Sequence, residues 1–137
     1  MENVKIKLSA LWTARMLSGF LGDVLRFTDP GVMEQVWAGE SFIPLTQEML
    51  LLMSIIMVIP IFMVFLSLTL KYKANRWANM SIGIFFVIFD LIFLISLFPY
   101  GSPAYEIFLG IVYLVFTALV VWHAWKWHKQ DVSPKKQ

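Results

Sequence analysis

With 137 residues, 59% of them apolar and 15% charged, the chain is too oily for a water-soluble globular domain. Crossing a bilayer takes about 20 residues, so the length holds four crossings and short connections without a separate soluble domain. The absence of cysteine closes off disulfides, thiol nucleophiles and Cys-ligated metals, and the net charge of +2 comes from basic residues beside apolar segments, which argues against nucleic acid as a partner.

The first predicted span, Leu8 to Phe27, is long enough to cross but carries Arg15, Asp23 and Arg26. A charge near the bilayer centre opposes insertion by roughly 2.5 to 3.5 kcal/mol. After it comes Asp-Pro-Gly-Val-Met-Glu-Gln-Val-Trp-Ala-Gly, where Asp29 suits an N-cap, Pro30 the first helical position and Gly39 a terminator. This predicts a short interfacial helix with Val32, Met33, Val36 and Trp37 on one face, read as an amphipathic connector on the outer surface, with a lid over a pocket as the alternative. Met49 to Leu70 is 22 residues without a charge, and Pro60 should kink it locally. Trp77 to Phe98 is 22 residues with only Asp90 charged, and Ile107 to Trp125 is 19 with none. Transmembrane helices are expected at about 8–27, 47–70, 77–98 and 105–127 in one domain, 1–129, followed by a polar, disordered tail at 130–137.

The connections set the direction. Lys5 and Lys7 precede the first span, Lys71, Lys73 and Arg76 separate the second from the third, and Lys126, Lys129, Lys135 and Lys136 follow the fourth, so nine of the eleven basic residues fall in three places. The other connections, Thr28 to Leu45 and Pro99 to Tyr105, hold no Lys or Arg. The positive-inside rule then puts both termini in the cytoplasm of an inner, or plasma, membrane, an alternation that requires Leu8 to Phe27 to span. Tyr72, Trp77, Trp122, Trp125 and Trp127 at the inner boundary and Trp37, Tyr100 and Tyr105 at the outer one read as the interfacial aromatic belt, and no cleavable signal is evident.

At 100° per residue, the first helix gathers Trp12, Arg15, Ser18, Gly19, Gly22, Asp23 and Arg26 on one face, the third gathers Arg76, Asn79, Gly83 and Asp90, and the fourth Glu106, Gly110, Tyr113 and Thr117. Charges avoid lipid and small residues allow close approach, so these stripes should converge inside an antiparallel four-helix bundle; the second helix has none. A rise of about 1.5 Å per residue from the inner boundary puts Arg15 and Thr117 at roughly 12 to 14 Å, Asp90 and Tyr113 at roughly 20 Å, Asp23 near 24 Å and Glu106 near 30 Å. Helical side chains lean toward their own N-terminus, which brings Asp90 toward Arg15 but tips Arg15 away, so the two are expected to meet, directly or through a water or Tyr113.

Two readings follow. Arg15, Arg26, Asp23 and Asp90 sum to zero and can serve as internal glue. Alternatively Arg15, Asp23, Asp90, Tyr113 and Thr117 line a site for a small ligand, cation or proton, with Glu48 and Glu106 adding uncompensated carboxylate at the outer rim. No metal or cofactor is expected: His123 and His128 lie about 140° apart on a regular helix, and no nucleophile elbow, phosphate-cradling glycine loop or HExxH is present. Nothing in the residues calls for an enzyme. Lys71, Lys73 and Arg76 read as lipid head-group contacts, and Asn75 or Asn79 as a cap for the third helix.

Lys7-Leu-Ser-Ala-Leu-Trp, Asp29-Pro-Gly-Val, Leu70-Lys-Tyr-Lys-Ala-Asn-Arg-Trp-Ala-Asn79 and Trp122-His-Ala-Trp-Lys-Trp127 resemble a family of small bacterial four-helix integral membrane proteins of unknown function, over nearly the whole chain. The resemblance implies a bacterial inner-membrane protein and brings no activity. On its pattern Asp23 matches an acidic position late in the first helix, whereas Val58 and Tyr113 stand where members carry acids, so a shared charged site is incomplete here. The functional expectation is binding or transport through a polar interior; a structural or accessory subunit, as a homo-oligomer or with a partner protein, is the alternative.

Overall fold

The computed structural model describes residues 3–40 and 45–127; the expected tail at 130–137 and His128 lie outside them. All regular structure among the described residues is helical: α1 (Asn3–Thr28), α2 (Pro30–Ala38), α3 (Gln47–Thr69), α4 (Tyr72–Leu97) and α5 (Ala104–Lys126). Three of these, α3, α4 and α5, are long and apolar enough to cross a membrane. α1 is as long as α4, but Lys5, Lys7, Arg15, Asp23 and Arg26 lower its hydropathy below theirs.

The short helix forms as its end signals dictate. Asp29 Oδ1 accepts the Gly31 amide at 3.0 Å, Pro30 needs no donor partner in the first turn, and Gly39 ends α2 with φ 72°. Val32, Met33 and Val36 are half-buried beside α1, whereas Trp37 is exposed and leaves the face assigned to it. α4 starts at Tyr72, five residues before the expected Trp77. Hydropathy reads Lys71 to Arg76 as loop, yet those residues form the first turns of the helix. α3 and α4 are therefore joined by Leu70 and Lys71 alone.

α1 lies between α3 and α5, and α5 lies between α1 and α4; α3 and α4 meet at few positions. Neighbours run antiparallel, so the N-terminal half of α1 sits with the C-terminal halves of α3 and α5. Two ends result. Lys5, Lys7, Lys71, Lys73, Arg76 and Lys126 mark a basic end, and Asp29, Glu34, Glu40, Glu48 and Glu106 an acidic end.

The apolar core belongs to the basic half, where Leu8, Trp12, Met63, Phe86, Val120, Ala124 and Trp127 form one buried cluster. Trp12 meets Phe86 edge-on at 5.8 Å, and Trp127 meets Tyr72 in the same way at 5.1 Å. Trp127, expected in the interfacial belt, is thus a core residue, because the end of α5 turns it inward against α4. Trp37, Trp77, Tyr100 and Trp125 are exposed near the ends as a belt requires. Between them Leu17, Phe20, Phe62, Phe65, Ile92 and Phe108 point outward from four helices, a surface that suits lipid and not water.

Candidate functional site

Arg15 and Asp90 meet directly. Arg15 Nε donates to Asp90 Oδ2 at 3.1 Å and Nη2 to Oδ1 at 2.6 Å, with both side chains about 95% buried or more. The contact is direct, with no bridge, because the Arg15 side chain runs toward the C-terminus of its own helix, where it lies beside Gly19. Gly19 permits this: a Cβ there would stand 2.9 Å from Arg15 Nη1. The guanidinium lies over the Tyr113 ring, 4.4 Å from its centroid. Tyr113 in turn places its hydroxyl where a Cβ on Gly22 would be, so two glycines one turn apart seat the arginine and the tyrosine. Thr117 Oγ1 is 3.2 Å from Asp90 Oδ2 and equally near the carbonyls of Tyr113 and Leu114. Its single proton can therefore support the carboxylate or return to its own helix. Arg15, Asp90, Tyr113 and Thr117, predicted to converge, do so on α1, α4 and α5.

Asp23 does not join them. It is exposed and makes no hydrogen bond or ion pair among the described residues. The helical wheel left it within the polar arc, but it stands at the exposed edge of that arc, next to the buried Gly22. Glu106 is not an uncompensated carboxylate either. Arg26 Nε donates to its Oε1 at 3.0 Å and the guanidinium lies 5.0 Å from the Phe93 ring, so this pair is closed. Counting charges loop by loop missed it because Arg26 was assigned to the span and Glu106 to the rim. Glu48 is exposed in the first turn of α3, where the helix dipole favours a carboxylate. Tyr105 donates to Asp29 Oδ2 at 2.8 Å and ties α5 to the cap of α2.

Residues 1–134 match a family of unknown function, DUF6326. The chain belongs to that family. No curated protein and no solved structure matches it. Membership of DUF6326 brings no activity, so function must be argued from the side chains.

A second polar cluster escaped the sequence reading. Trp12 Nε1 donates to Asn79 Oδ1 at 2.8 Å, and Ser67 Oγ donates to the same oxygen at 3.2 Å. Asn79 Nδ2 reaches Asn75 Oδ1 at 2.7 Å, and Asn75 Nδ2 reaches the carbonyls of Ser67 at 2.7 Å and Leu70 at 3.2 Å. All four side chains are buried. Asn75 thus closes the C-terminus of α3 and does not cap α4, whose N-cap Lys71 has no side-chain bond. The available signal was the i, i+4 spacing of Asn75 and Asn79 on the face that also holds Asp90. Arg76 differs from expectation too: Nε and Nη2 donate to the Ala124 and Trp125 carbonyls, both at 3.1 Å, capping α5. Lys71 and Lys73 are exposed, free for the head-group role proposed for all three.

Proposed function

We propose that this chain is an antiparallel four-helix bundle crossing a cytoplasmic membrane four times, with both termini inside, and that it binds a small cation, a proton or a ligand amine at Asp23. The fourth crossing is supported by the partners of α1. Trp12 bonds α4 near the basic end and Arg26 bonds α5 near the acidic end, so α1 accompanies two apolar helices along most of their length. The basic end faces the cytoplasm on this reading.

One observation carries the binding role, and it is a charge account. Arg15 is committed to Asp90 and Arg26 to Glu106, which leaves Asp23, between them on α1, without an ion pair or hydrogen bond among the described residues. Hydrocarbon cannot solvate a carboxylate, and the two arginines near Asp23 are bonded to other acids, so an added cation or a proton would complete its neutralisation. Gly22, next to it in the chain, is packed closely against the Tyr113 hydroxyl, so Asp23 borders the side chains that hold the Arg15–Asp90 pair.

The exposure of Asp23 supports a second reading: a basic residue of a partner subunit supplies the countercharge, and the chain is an accessory subunit. Purified protein is titrated with sodium ion and tetraphenylphosphonium by calorimetry, and proton uptake is followed with a pH-sensitive dye. Wild type takes up one of the three and Asp23→Asn takes up none while keeping its helical content. Equal behaviour of the two proteins removes the binding reading. If mild-detergent purification then recovers a partner that Asp23→Asn loses, the accessory reading replaces it.

A further inference from the structure

On the outward side of α4, from Tyr72 to Ile84, runs a shallow, open groove formed by this helix alone, whose lining changes character along its length. Lys73 and Arg76 stand at its basic end, Trp77 follows, and Met80, Ser81 and Ile84 continue toward mid-helix. At about 1.5 Å per residue the groove spans ~18 Å, slightly more than half of a hydrocarbon core of about 30 Å. Its gradient from cationic through aromatic to apolar matches a phospholipid in one leaflet.

Three details fit that occupant. Lys71, Lys73 and Arg76 have no carboxylate partner among the described residues, and no acidic residue lies between Glu48 and Asp90 in the chain. Arg76 is held by two α5 carbonyls through Nε and Nη2, which fixes the guanidinium and leaves Nη1 without a hydrogen bond. Ser81 Oγ makes none either, whereas Ser18, Ser54, Thr69 and Ser96 each return their hydroxyl to a carbonyl three or four residues back. Ser81 stands about 7 to 8 Å along the axis from Arg76, the depth of an ester linkage below a phosphate.

We infer that this groove holds one anionic phospholipid, its phosphate between Lys73 and Arg76 Nη1, its glycerol ester at Ser81 and an acyl chain along Met80 and Ile84. The inference rests on the proposed membrane setting of α4 but not on Asp23. It is tested by native mass spectrometry of the full chain in mild detergent, titrated with phosphatidylglycerol, with phosphatidylcholine of the same chains, and with inorganic phosphate. One phosphatidylglycerol is retained at saturation, at least fivefold more tightly than phosphatidylcholine, and millimolar phosphate does not displace it. Lys73→Gln weakens retention about fivefold. Ser81→Ala weakens it twofold or more, and Lys126→Gln, which removes the same charge elsewhere at the basic end, leaves it unchanged. Asp23→Asn retains the lipid, so failure here and failure of the cation site are separable. Unsaturable adducts, equal retention of the two lipids, displacement by phosphate, or equal loss in Lys73→Gln and Lys126→Gln would each overturn the assignment.

Discussion

The two halves of the molecule hold their helices together by different chemistry. At the basic end Trp12, Ser67, Asn75 and Asn79 join α1, α3 and α4 through neutral hydrogen bonds, each of these four side chains has a partner, and the apolar core closes around them, with the Trp127 indole N–H left unpaired among the described residues. Toward the acidic end the tie is ionic: Arg15 with Asp90 at mid-height and Arg26 with Glu106 at the rim. α3 places its fully buried residues, Pro60, Met63 and Ser67, in the first half and only half-buried ones in the second. A neutral amide network fixes three helices at once because each amide both donates and accepts. An ion pair fixes two, and leaves a lone charge wherever the count is odd.

The sharpest way to break this contrast is at mid-height. Arg15→Leu leaves Asp90 buried with only the Thr117 hydroxyl and should destabilise the fold by about 3 to 5 kcal/mol. Arg15→Leu with Asp90→Leu removes the pair whole and should return to within about 1 to 2 kcal/mol of wild type. Unfolding in detergent, followed by tryptophan fluorescence, gives both values. Should the double variant be as unstable as the single one, the pair would be a net source of stability and the ionic half would not be the weaker design.

At the basic end the corresponding change is Asn79→Leu. It orphans the Trp12 Nε1 donor and the Ser67 hydroxyl and removes one partner of Asn75, for a loss of about 2 to 3 kcal/mol. Trp12→Phe deletes a donor while Asn79 Oδ1 keeps Ser67, and should lose less for the hydrogen bond, about 1 kcal/mol. The same unfolding assay ranks them; a Trp12→Phe loss equal to that of Asn79→Leu would mean that ring packing on Phe86, not the amide network, holds this half.

The two halves were unequally legible in the sequence. Charge and small-residue spacing on α1, α4 and α5 marked Arg15, Asp90, Tyr113 and Thr117, because a charge inside an apolar run has few places to go. The uncharged runs within α3, α4 and α5 were evident for the same reason. The amide network was hidden, since Asn near a helix start has an ordinary local use and only tertiary contact shows Asn75 closing α3. The capping of α5 by Arg76 was hidden as well, because a cap contributed across space has no sequence spacing. A wheel gives angle but not the separation of helices, so it could not tell that Asp23, inside the polar arc, stays exposed. The partner of Glu106 was concealed by reading Arg26 as part of the span.

The mildest break is at the rim. Arg26 and Glu106 form their bond through a single guanidinium nitrogen, and the Arg26 side chain remains 34% exposed, so water and salt reach the pair. Exposed or half-exposed pairs contribute about 0 to 1 kcal/mol, and screening acts over about 10 Å at 0.1 M salt. Arg26→Gln should therefore lower stability by less than 1 kcal/mol, and the difference from wild type should shrink as sodium chloride rises from 0.05 to about 1 M, where screening acts within ~3 Å. The loss on Arg15→Leu should persist across that range, because its carboxylate partner is 1% exposed. Parallel melting curves at both salt concentrations decide it. If the two arginine variants respond to salt alike, the mid-height pair is wet and within reach of ions from solution.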